Sequence, residues 1–296
     1  MPELVLGGSN SRHIAYRLSK KMNIEYSTVE VKEFPDNELY VRIPMDVKQR
    51  EVIYVNSLQP NPNRSLVETI LTLDALKKQN AKSIVAVIPY LAYARQDEMF
   101  NPGEAVSVLT IADMFKSLDI DQIITVDMHL HRITDPSKVF GSKFTNITGV
   151  HEVADYIKSH FKYSNAVVIG PDDEAKQWAS LVAKDLNIEY GVFSKKRLSG
   201  REVQVEGQAE VKGKDAIIID DIISTGGTII EASKLLKSLG ANDIYVACVH
   251  PLLVEGAYHK LVEHNLKALI GTDTVLSPIS FVEIYPAIAK ALDKQL

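Results

Sequence analysis

The sequence of 296 residues contains a single cysteine, Cys248, so no internal disulfide can form. Lone thiols are common in reducing compartments, and we therefore expect a cytoplasmic protein. The eight histidines are scattered around that one cysteine, and this spacing argues against a structural zinc site.

Long hydrophobic runs and an excess of basic residues are also missing. No apolar run approaches the roughly 18 residues that a membrane-spanning helix needs, and the N-terminal segment does not resemble a secretion signal. The chain carries 33 Lys and Arg against 38 Asp and Glu, which gives a net charge of -5. A protein that binds nucleic acid through its phosphates is expected to be basic. We therefore expect neither a nucleic-acid partner nor a membrane partner.

Short runs rich in Val and Ile alternate with amphipathic segments, a pattern that is typical of parallel strands joined by helices. The predicted strands are Leu4–Leu6, Val52–Val55, Ile84–Ile88, Ile123–Val126, Ala166–Ile169, Ala216–Ile219, Ile244–Val249 and Ala268–Ile270. The predicted helices are Ser65–Gln79, Ser107–Ser117, Val150–Phe161, Ala175–Leu186 and Thr228–Leu239, the last ended by Gly240. The sequence therefore predicts an α/β protein.

The two halves of the chain repeat this plan, although no residue-level repeat is visible. We expect one domain over residues 1–147 and a second over 148–296, with the boundary near Ile147–Gly149. No low-complexity linker marks this boundary. A final helical segment, Tyr285–Leu296, is compatible with packing on either domain.

The strongest chemical pattern follows the predicted strand Ala216–Ile219. Two acids, Asp220 and Asp221, precede a loop whose hydroxyl and glycine residues suit a bound phosphate. Glycines permit positive φ and close approach of the backbone, and the following helix N-terminus attracts an anion. The alternative is an ordinary strand-to-helix turn with its acids in solvent. The loop residues are Ser224, Thr225, Gly226, Gly227 and Thr228.

This segment resembles the sugar-phosphate loop of type I phosphoribosyltransferases, and the chain as a whole resembles the ribose-phosphate diphosphokinases, which synthesise phosphoribosyl diphosphate (PRPP). The resemblance implies two domains of type I phosphoribosyltransferase-like fold, each a mostly parallel sheet flanked by helices. It also implies transfer of the diphosphoryl group of ATP to the anomeric hydroxyl of ribose 5-phosphate, which gives PRPP and AMP for nucleotide biosynthesis. The same loop residues and the two acids are then expected to bind ribose 5-phosphate.

Two further segments resemble the ATP-binding segments of this family. Phe34-Pro35-Asp36-Asn37-Glu38 is also good chemistry for a β-hairpin turn, and Tyr93-Ala94-Arg95-Gln96-Asp97 could be a solvated charged loop. The resemblance implies that the first segment holds adenine and reaches the ATP site of a neighbouring subunit, so that a homo-oligomer, at least a dimer, is expected. The residues expected to bind ATP are Phe34, Asp36, Asn37, Glu38, Arg95 and Gln96.

Two motifs at predicted strand ends resemble the family's Mg²⁺ ligands. His129 follows the strand Ile123–Val126, and Asp172 lies in an acidic cluster after the strand Ala166–Ile169. A lone histidine is often structural, and Asp173 or Glu174 could simply cap the next helix. The resemblance implies a Mg²⁺ cofactor held by His129 and Asp172. The chain departs from the usual family pattern at Ser224, at Glu98 and at His131-Arg132.

Lys195 and Arg197 match the family's catalytic loop, whose cations close over the reacting phosphates, and Arg197 is also expected to contact ribose 5-phosphate. On pattern alone, this basic segment is a solvated hairpin tip. Two other functions stay open: a phosphoribosyltransferase that consumes PRPP, and a non-catalytic homologue that regulates an active partner. The ATP-type segments argue against the first, and Lys195 with Arg197 against the second.

Overall fold

A computed structural model describes residues 2–130, 133, 135–163, 165–194, 204–206 and 210–293. The chain divides into two compact units, Met1–Thr148 together with Ile284–Leu296, and Gly149–Glu283. The change between them falls inside the segment 147–149 at which the sequence predicts it.

The first unit contains a parallel sheet and a separate hairpin. Its strands are β1 (Leu4–Gly7), β2 (Glu25–Thr28), β3 (Glu30–Glu33), β4 (Leu39–Arg42), β5 (Glu51–Val55), β6 (Ser83–Ile88), β7 (Gln122–Val126) and β8 (Phe144–Ile147). Its helices up to this point are α1 (Arg12–Met22), α2 (Pro62–Lys78), α3 (Ser107–Leu118) and α4 (Ser137–Phe140). Six strands form the sheet in the order β2-β1-β5-β6-β7-β8, and all its pairs are parallel. Strands β3 and β4 pair antiparallel with each other.

The second unit is built on a seven-stranded sheet. Its helices are α5 (Val150–His160), α6 (Lys176–Leu186), α7 (Gly227–Ser238) and α8 (Ala257–Glu263). Its strands are β9 (Ala166–Gly170), β10 (Tyr190–Ser194), β11 (Gln204–Glu206), β12 (Asp215–Ile223), β13 (Ile244–Pro251), β14 (Ala268–Thr272) and β15 (Ser280–Val282). The order is β11-β10-β9-β12-β13-β14-β15, and only the edge pair β10-β11 is antiparallel among these described strands. The expected α/β class with two mostly parallel sheets is confirmed.

Hydrophobic burial explains why the Val- and Ile-rich runs became central strands. Leu4, Val5 and Leu6 of β1 are fully buried, and the isoleucines 217–219 of β12 are at most 2% exposed. Strands covered by helices on both faces bury successive side chains, so the sequence reads as a continuous apolar run rather than an alternating one. The core of the second unit lies between these strands and the apolar faces of helices such as α7.

Helix ends follow from residues that adopt left-handed backbone conformations. Asn23 and Asn187 end α1 and α6 with φ near 55°, and Gly240 has φ 86° directly after α7. The N–H of Ala241 then reaches the carbonyl oxygen of Leu236, which is the bonding of a glycine-terminated helix. The predicted stop at Gly240 is confirmed.

The last helix, α9 (Tyr285–Asp293), belongs to the first unit. It contacts α1 and β8, and its side chains Ile288 and Leu292 are buried. The second compact unit therefore ends at Glu283, and the final segment that the sequence could not assign returns to the first half. No helix of the described ranges is both long and apolar enough to cross a bilayer.

Each sheet has one place where the direction of strand progression reverses. In the first unit β1 lies between β2 and β5, and in the second β9 lies between β10 and β12. Loops that leave two such neighbouring parallel strands diverge to opposite sides of the sheet. The crevice that opens at their carboxyl ends is where α/β sheets bind ligands.

The turn between β12 and α7 requires one of its two glycines. Gly226 has φ 79°, and a Cβ added there would lie 3.3 Å from Cγ of Leu261. Gly227 has no positive φ, and the nearest atom to its added Cβ is the Thr225 Oγ1 atom at 3.9 Å. Of the positive φ that both glycines permit, the turn therefore uses only that of Gly226, and Gly227 adopts an ordinary helical conformation at the start of α7.

We expect Gly226→Ala to lower the free energy of unfolding by about 1–2 kcal/mol, because the Cβ of alanine is sterically unfavourable in the left-handed conformation. The matched variant, Gly227→Ala, meets no such cost and is expected to change stability by less than about 0.5 kcal/mol or to stabilise α7 slightly. Thermal and urea denaturation of both variants measures the difference. Equal destabilisation by the two alanines would contradict this account of the turn.

Candidate active site

The candidate site of the second unit lies where β9 and β12 end. The two strands are parallel neighbours, with Ile169 opposite Ile218, so the segments that follow them leave the same edge of the sheet. Asp172 follows β9, and the glycine-containing loop follows β12. This edge is the reversal point of the strand order, so the topology alone favours it as a binding crevice.

Strand β12 continues through the acid pair. The sequence predicts an end at Ile219, but pairing with β13 extends to Ile223 opposite Pro251. The prediction was wrong because it treated charged side chains as the end of a buried strand. Asp220 and Asp221 are therefore strand residues whose side chains leave opposite faces of the sheet.

The acids are crowded and poorly solvated. Asp221 is 2% exposed and Asp220 is partly buried, and the Asp221 N–H donates to Oδ1 of Asp220 at 3.0 Å. Burial raises the pKa of the Asp220 carboxyl well above its usual value, and the charges of Asp221 and Asp172 raise it further. Asp220 thus shares one edge of the sheet with two other carboxylates, and their charges disfavour its ionisation. Hydroxyl donors or a cation at this edge would lower that cost.

Cys248 lies opposite Asp220 on β13 and is fully buried. Burial raises the pKa of its thiol well above the usual value, and the Asp220 charge adds to this shift. A thiol in such surroundings is neither a nucleophile nor a metal ligand. Cys248 packs in the hydrophobic core of the second unit.

The loop from Ser224 to Thr228 presents donors towards solvent. The carbonyl oxygens of Ile223 and Ser224 accept bonds at 3.0 Å from the N–H groups of Leu253 and Val254, which fixes the start of the loop. Helix α7 has no side-chain hydrogen bond at its N-cap. The first N–H groups of a helix have no partner within the helix, so this end offers backbone donors together with the exposed Thr225 and Thr228 side chains. Such an arrangement suits a phosphate.

Asp172 shapes its own loop. Its Oδ1 atom accepts the N–H groups of Glu174 and Ala175, both at 3.1 Å, and helix α6 begins only at Lys176. The expected capping by Asp173 or Glu174 is absent, because α6 has no side-chain hydrogen bond at its N-cap, Ala175. Asp172 instead stabilises the turn that precedes the helix. The second carboxylate oxygen of Asp172 has no part in these two bonds.

The first ATP-type segment is the turn of the β3–β4 hairpin, as the simpler interpretation predicted. The N–H of Phe34 donates to the carbonyl of Glu38 at 2.8 Å, and Asn37 has φ 70°. Asn tolerates this conformation, so it serves where the family pattern has glycine. The whole turn is exposed, and half of the Phe34 surface is accessible. An exposed aromatic side chain at a hairpin tip is available to stack on a planar ring.

The second ATP-type segment and His129 leave neighbouring strands of the first sheet. Tyr93 to Gln96 follow β6, His129 follows β7, and these strands pair in parallel. The Arg95 side chain is exposed, whereas Gln96 and His129 are half-buried. The structure thus brings Arg95, Gln96 and His129 to one edge of the first sheet.

The two expected catalytic cations, Lys195 and Arg197, lie outside the described residues, between β10 and β11 in the sequence.

The part of the chain that the structure describes contains no group of three His, Cys, Asp or Glu side chains arranged to hold a metal ion.

One set of residues near the ATP-type segments was not predicted. The predicted helix begins at Ser65, whereas the observed helix α2 begins at Pro62 and includes Asn63 and Arg64 in its first turn. The signal was present, because proline is favoured at the first position of a helix. Arg64 bonds to Glu33 at the start of the hairpin turn, a contact between residues distant in sequence that no local pattern indicates.

Known proteins resemble the chain over nearly its full length. The family described as the N-terminal domain of ribose phosphate pyrophosphokinase matches residues 4–118, and the phosphoribosyl transferase domain matches residues 145–275. The ribose-phosphate pyrophosphokinase of Methanopyrus kandleri is 37% identical over 98% of both chains. That of Pyrococcus furiosus is 35% identical over 96% of this chain and 99% of its own.

A solved structure agrees with these relatives. The crystal structure of phosphoribosylpyrophosphate synthetase from Mycobacterium smegmatis superposes with a TM-score of 0.86 at 29% identity, and the match covers 99% of this chain and 98% of the other. The matched region thus spans both sheets. The chain belongs to the ribose-phosphate pyrophosphokinase family.

Proposed function

We propose that the protein transfers the diphosphoryl group of ATP to the anomeric hydroxyl of ribose 5-phosphate, giving PRPP and AMP. The observation that carries this proposal is the edge of the second sheet, where an uncapped helix N-terminus stands beside the acids of β12. If the 5-phosphate of the sugar binds at the loop from Ser224 to Thr228, the sugar hydroxyls would lie near Asp220 and Asp221. Family membership supports the same reaction, because the relatives are named for it.

The proposed contacts divide between the two units. Phosphate-binding donors and ribose-binding acids come from the second unit, whereas the groups for ATP come from the first. The residues assigned to ribose 5-phosphate are Arg197, Asp220, Asp221, Ser224, Thr225, Gly226, Gly227 and Thr228. The residues assigned to ATP are Phe34, Asp36, Asn37, Glu38, Arg95 and Gln96.

The reaction makes one bond and breaks one. The anomeric oxygen attacks the β-phosphorus of ATP, the bond from that phosphorus to the oxygen of the α-phosphate breaks, AMP leaves, and the hydroxyl proton is released. Phosphoryl-type transfers depend mainly on positioning and on neutralising charge. We assign charge neutralisation to the cations of Lys195 and Arg197, and positioning to the loop and the acids of the second unit.

The donor set near β12 fits Mg²⁺. Carboxylate oxygens are hard ligands, and Mg²⁺ is usually bound by one or two carboxylates with substrate phosphates rather than by a complete protein cage. The mutual repulsion that raises the pKa of Asp220 is the kind that a divalent cation relieves. We propose Asp172 and His129 as residues that would hold the ion, which would supply positive charge to the phosphates.

The two other candidate functions explain less of the chain. A phosphoribosyltransferase that consumes PRPP needs the loop of the second unit but does not account for the N-terminal family match over residues 4–118. A non-catalytic regulator has no need of Lys195 and Arg197. A cytoplasmic location, and the lack of nucleic-acid and membrane partners, stay predictions from composition.

We expect the protein to form AMP and PRPP in a one-to-one ratio when it is incubated with ATP, Mg²⁺ and ribose 5-phosphate, because the diphosphoryl group moves as a unit. Chromatography of the nucleotides with enzymatic detection of PRPP measures both products. Ribose without its phosphate is the control and should give no AMP. Formation of ADP, or no reaction while added PRPP is joined to a base, would contradict the proposed function.

We further propose that the active form is a homo-oligomer, at least a dimer, in which the hairpin tip of one subunit completes the ATP site of another. The exposure of the whole turn from Phe34 to Glu38 supports this, since an aromatic at a projecting tip is available to a second chain. The family resemblance implies the same arrangement. If a site is shared between two subunits, two inactive variants can restore an intact site to each other only when their subunits mix in one oligomer.

Mixing two inactive variants tests the shared site. Lys195→Ala is expected to lower kcat by about 10²–10³, the range for loss of a preorganised charge that stabilises the transition state. Phe34→Ala/Asp36→Ala/Glu38→Ala should fail to bind ATP. After subunit exchange, some sites receive Lys195 from one chain and Phe34 from another, and activity should return in part. If mass spectrometry shows exchanged oligomers and activity stays absent, each chain builds its own ATP site.

A further inference from the structure

The β3–β4 hairpin, which carries the proposed adenine-binding turn, stands apart from the main sheet of the first unit. It forms a two-stranded sheet of its own and does not pair with the six-stranded sheet. An isolated two-stranded hairpin is marginally stable in water, so its orientation depends on what holds its base. Strand β4 packs against α2, and this contact brings the first turn of that helix close to the hairpin.

Arg64 in that first turn bonds to two carboxylates. Its Nε atom donates to Oε1 of Glu33 at 2.6 Å, and its Nη1 atom donates to Oε2 of Glu68 at 3.3 Å. Glu33 is the last residue of β3 and directly precedes Phe34. The guanidinium therefore attaches the hairpin at the residue next to the aromatic side chain that is expected to meet adenine.

The second carboxylate anchors Arg64 in the body of the unit. Glu68 is fully buried, and its Oε1 atom accepts the N–H of Ser9 at 2.7 Å, just after β1. An exposed ion pair alone is weak, but a buried carboxylate holds its cation more firmly because its charge has few other partners. The contacts thus run from the edge of the sheet through Glu68 and Arg64 to the hairpin.

The same turn of α2 also meets the second ATP-type segment. The hydroxyl of Tyr93 donates to Oδ1 of Asn63, the residue before Arg64. Tyr93 has φ 68°, a conformation uncommon for an aromatic residue, at the beginning of the segment that contains Arg95 and Gln96. One helical turn therefore contacts both segments that are assigned to ATP.

We propose that Arg64 is a positioning residue for ATP binding, which fixes the Phe34 hairpin by linking Glu33 to the buried Glu68. The inference rests on the proposed function, because it takes the hairpin to bind the adenine of ATP. Arg64 does not touch the nucleotide in this account. Its effect passes through Glu33 and should therefore appear in ATP affinity rather than in the chemical step.

The test compares Arg64→Met with Arg42→Met. Arg42 bonds to Glu30 at 3.0 Å on the same two strands, at the end away from the turn, so its removal deletes an exposed ion pair of the hairpin and leaves the bonds of Arg64 in place. We expect Arg64→Met to raise the KM for ATP about five- to tenfold, the change that loss of a modest ordering interaction gives. The kcat at saturating ATP and the KM for ribose 5-phosphate should stay within about twofold in both variants.

A second variant, Glu33→Ala, removes the acceptor of the Arg64 Nε–H bond but keeps the Arg64–Glu68 contact, so it does not leave a buried charge without its cation. It should raise the KM for ATP to a similar extent without lowering the melting temperature. The double variant Arg64→Met/Glu33→Ala should be no worse than Arg64→Met, because both changes break the same link. A merely structural role predicts lower stability with an unchanged KM for ATP.

Each outcome separates this inference from the function on which it rests. If the wild-type protein forms no AMP from ATP and ribose 5-phosphate, the proposed function fails. If the wild-type protein is active and Arg64→Met or Glu33→Ala has the ATP KM of the Arg42→Met control, the positioning role of Arg64 is wrong. Independent, multiplied effects of Glu33→Ala and Arg64→Met would also overturn it.

Discussion

Burying carboxylates beside one another costs free energy, and the second unit does so at the carboxyl edge of its sheet. Asp220 and Asp221 are consecutive residues of β12, and the charge of Asp172 reaches them from the turn after β9. A fold under selection for stability alone would place apolar or isolated polar residues here. The arrangement becomes reasonable when the edge receives hydroxyl donors or a cation. Location, strand order and electrostatics therefore indicate the same binding crevice.

The two units use one strand plan but treat its reversal point differently. The order β2-β1-β5-β6-β7-β8 of the first sheet matches β10-β9-β12-β13-β14-β15 of the second, and this supports the interpretation of two copies of one design. The helix after the reversal begins without a side-chain cap in both units, at α2 and at α7. In the first unit the buried carboxylate of Glu68 accepts the N–H of Ser9 at this edge. In the second unit the acids at this edge belong to β12 and to the turn after β9.

Most of the fold was predictable because parallel strands buried on both faces read as unbroken apolar runs. The eight predicted strands and five predicted helices each correspond to an observed element, with ends that differ by a few residues. The sequence missed α1, whose sequence is rich in basic and polar residues, and the short helices α4 and α8. It also missed the sheet strands β10 and β11 and the short edge strands β2, β8 and β15, whose exposed positions interrupt the apolar pattern. It also ended β12 early, since charged residues inside a buried strand contradict the usual burial of charge.

The site was predictable only as a set of local motifs. The loop after β12 and the hairpin turn are contiguous in sequence, so their residue types suffice to indicate them. The link from Glu33 through Arg64 to Glu68 joins three separate segments, and periodicity contains no information about such a contact. The different roles of the two loop glycines depend on backbone angles that the dipeptide Gly226-Gly227 does not reveal.

The free-energy cost of burying these carboxylates beside one another is measured most directly with the variant Asp220→Asn, which keeps an oxygen to accept the Asp221 N–H. Because burial and like charges raise the native pKa of Asp220, the native state binds its proton more readily than the unfolded chain does. Wild-type stability should therefore fall as the pH rises from about 4, the pKa of an unfolded aspartate, through the raised native value. At pH 7.5, calorimetry should show that Asp220→Asn binds ribose 5-phosphate more weakly than the wild type does. Thermal denaturation should show that the variant melts higher by about 2–4 °C for each kcal/mol of burial and repulsion free energy that the substitution removes. A variant that is less stable at pH 7.5, or that binds ribose 5-phosphate as tightly as the wild type, would contradict the account.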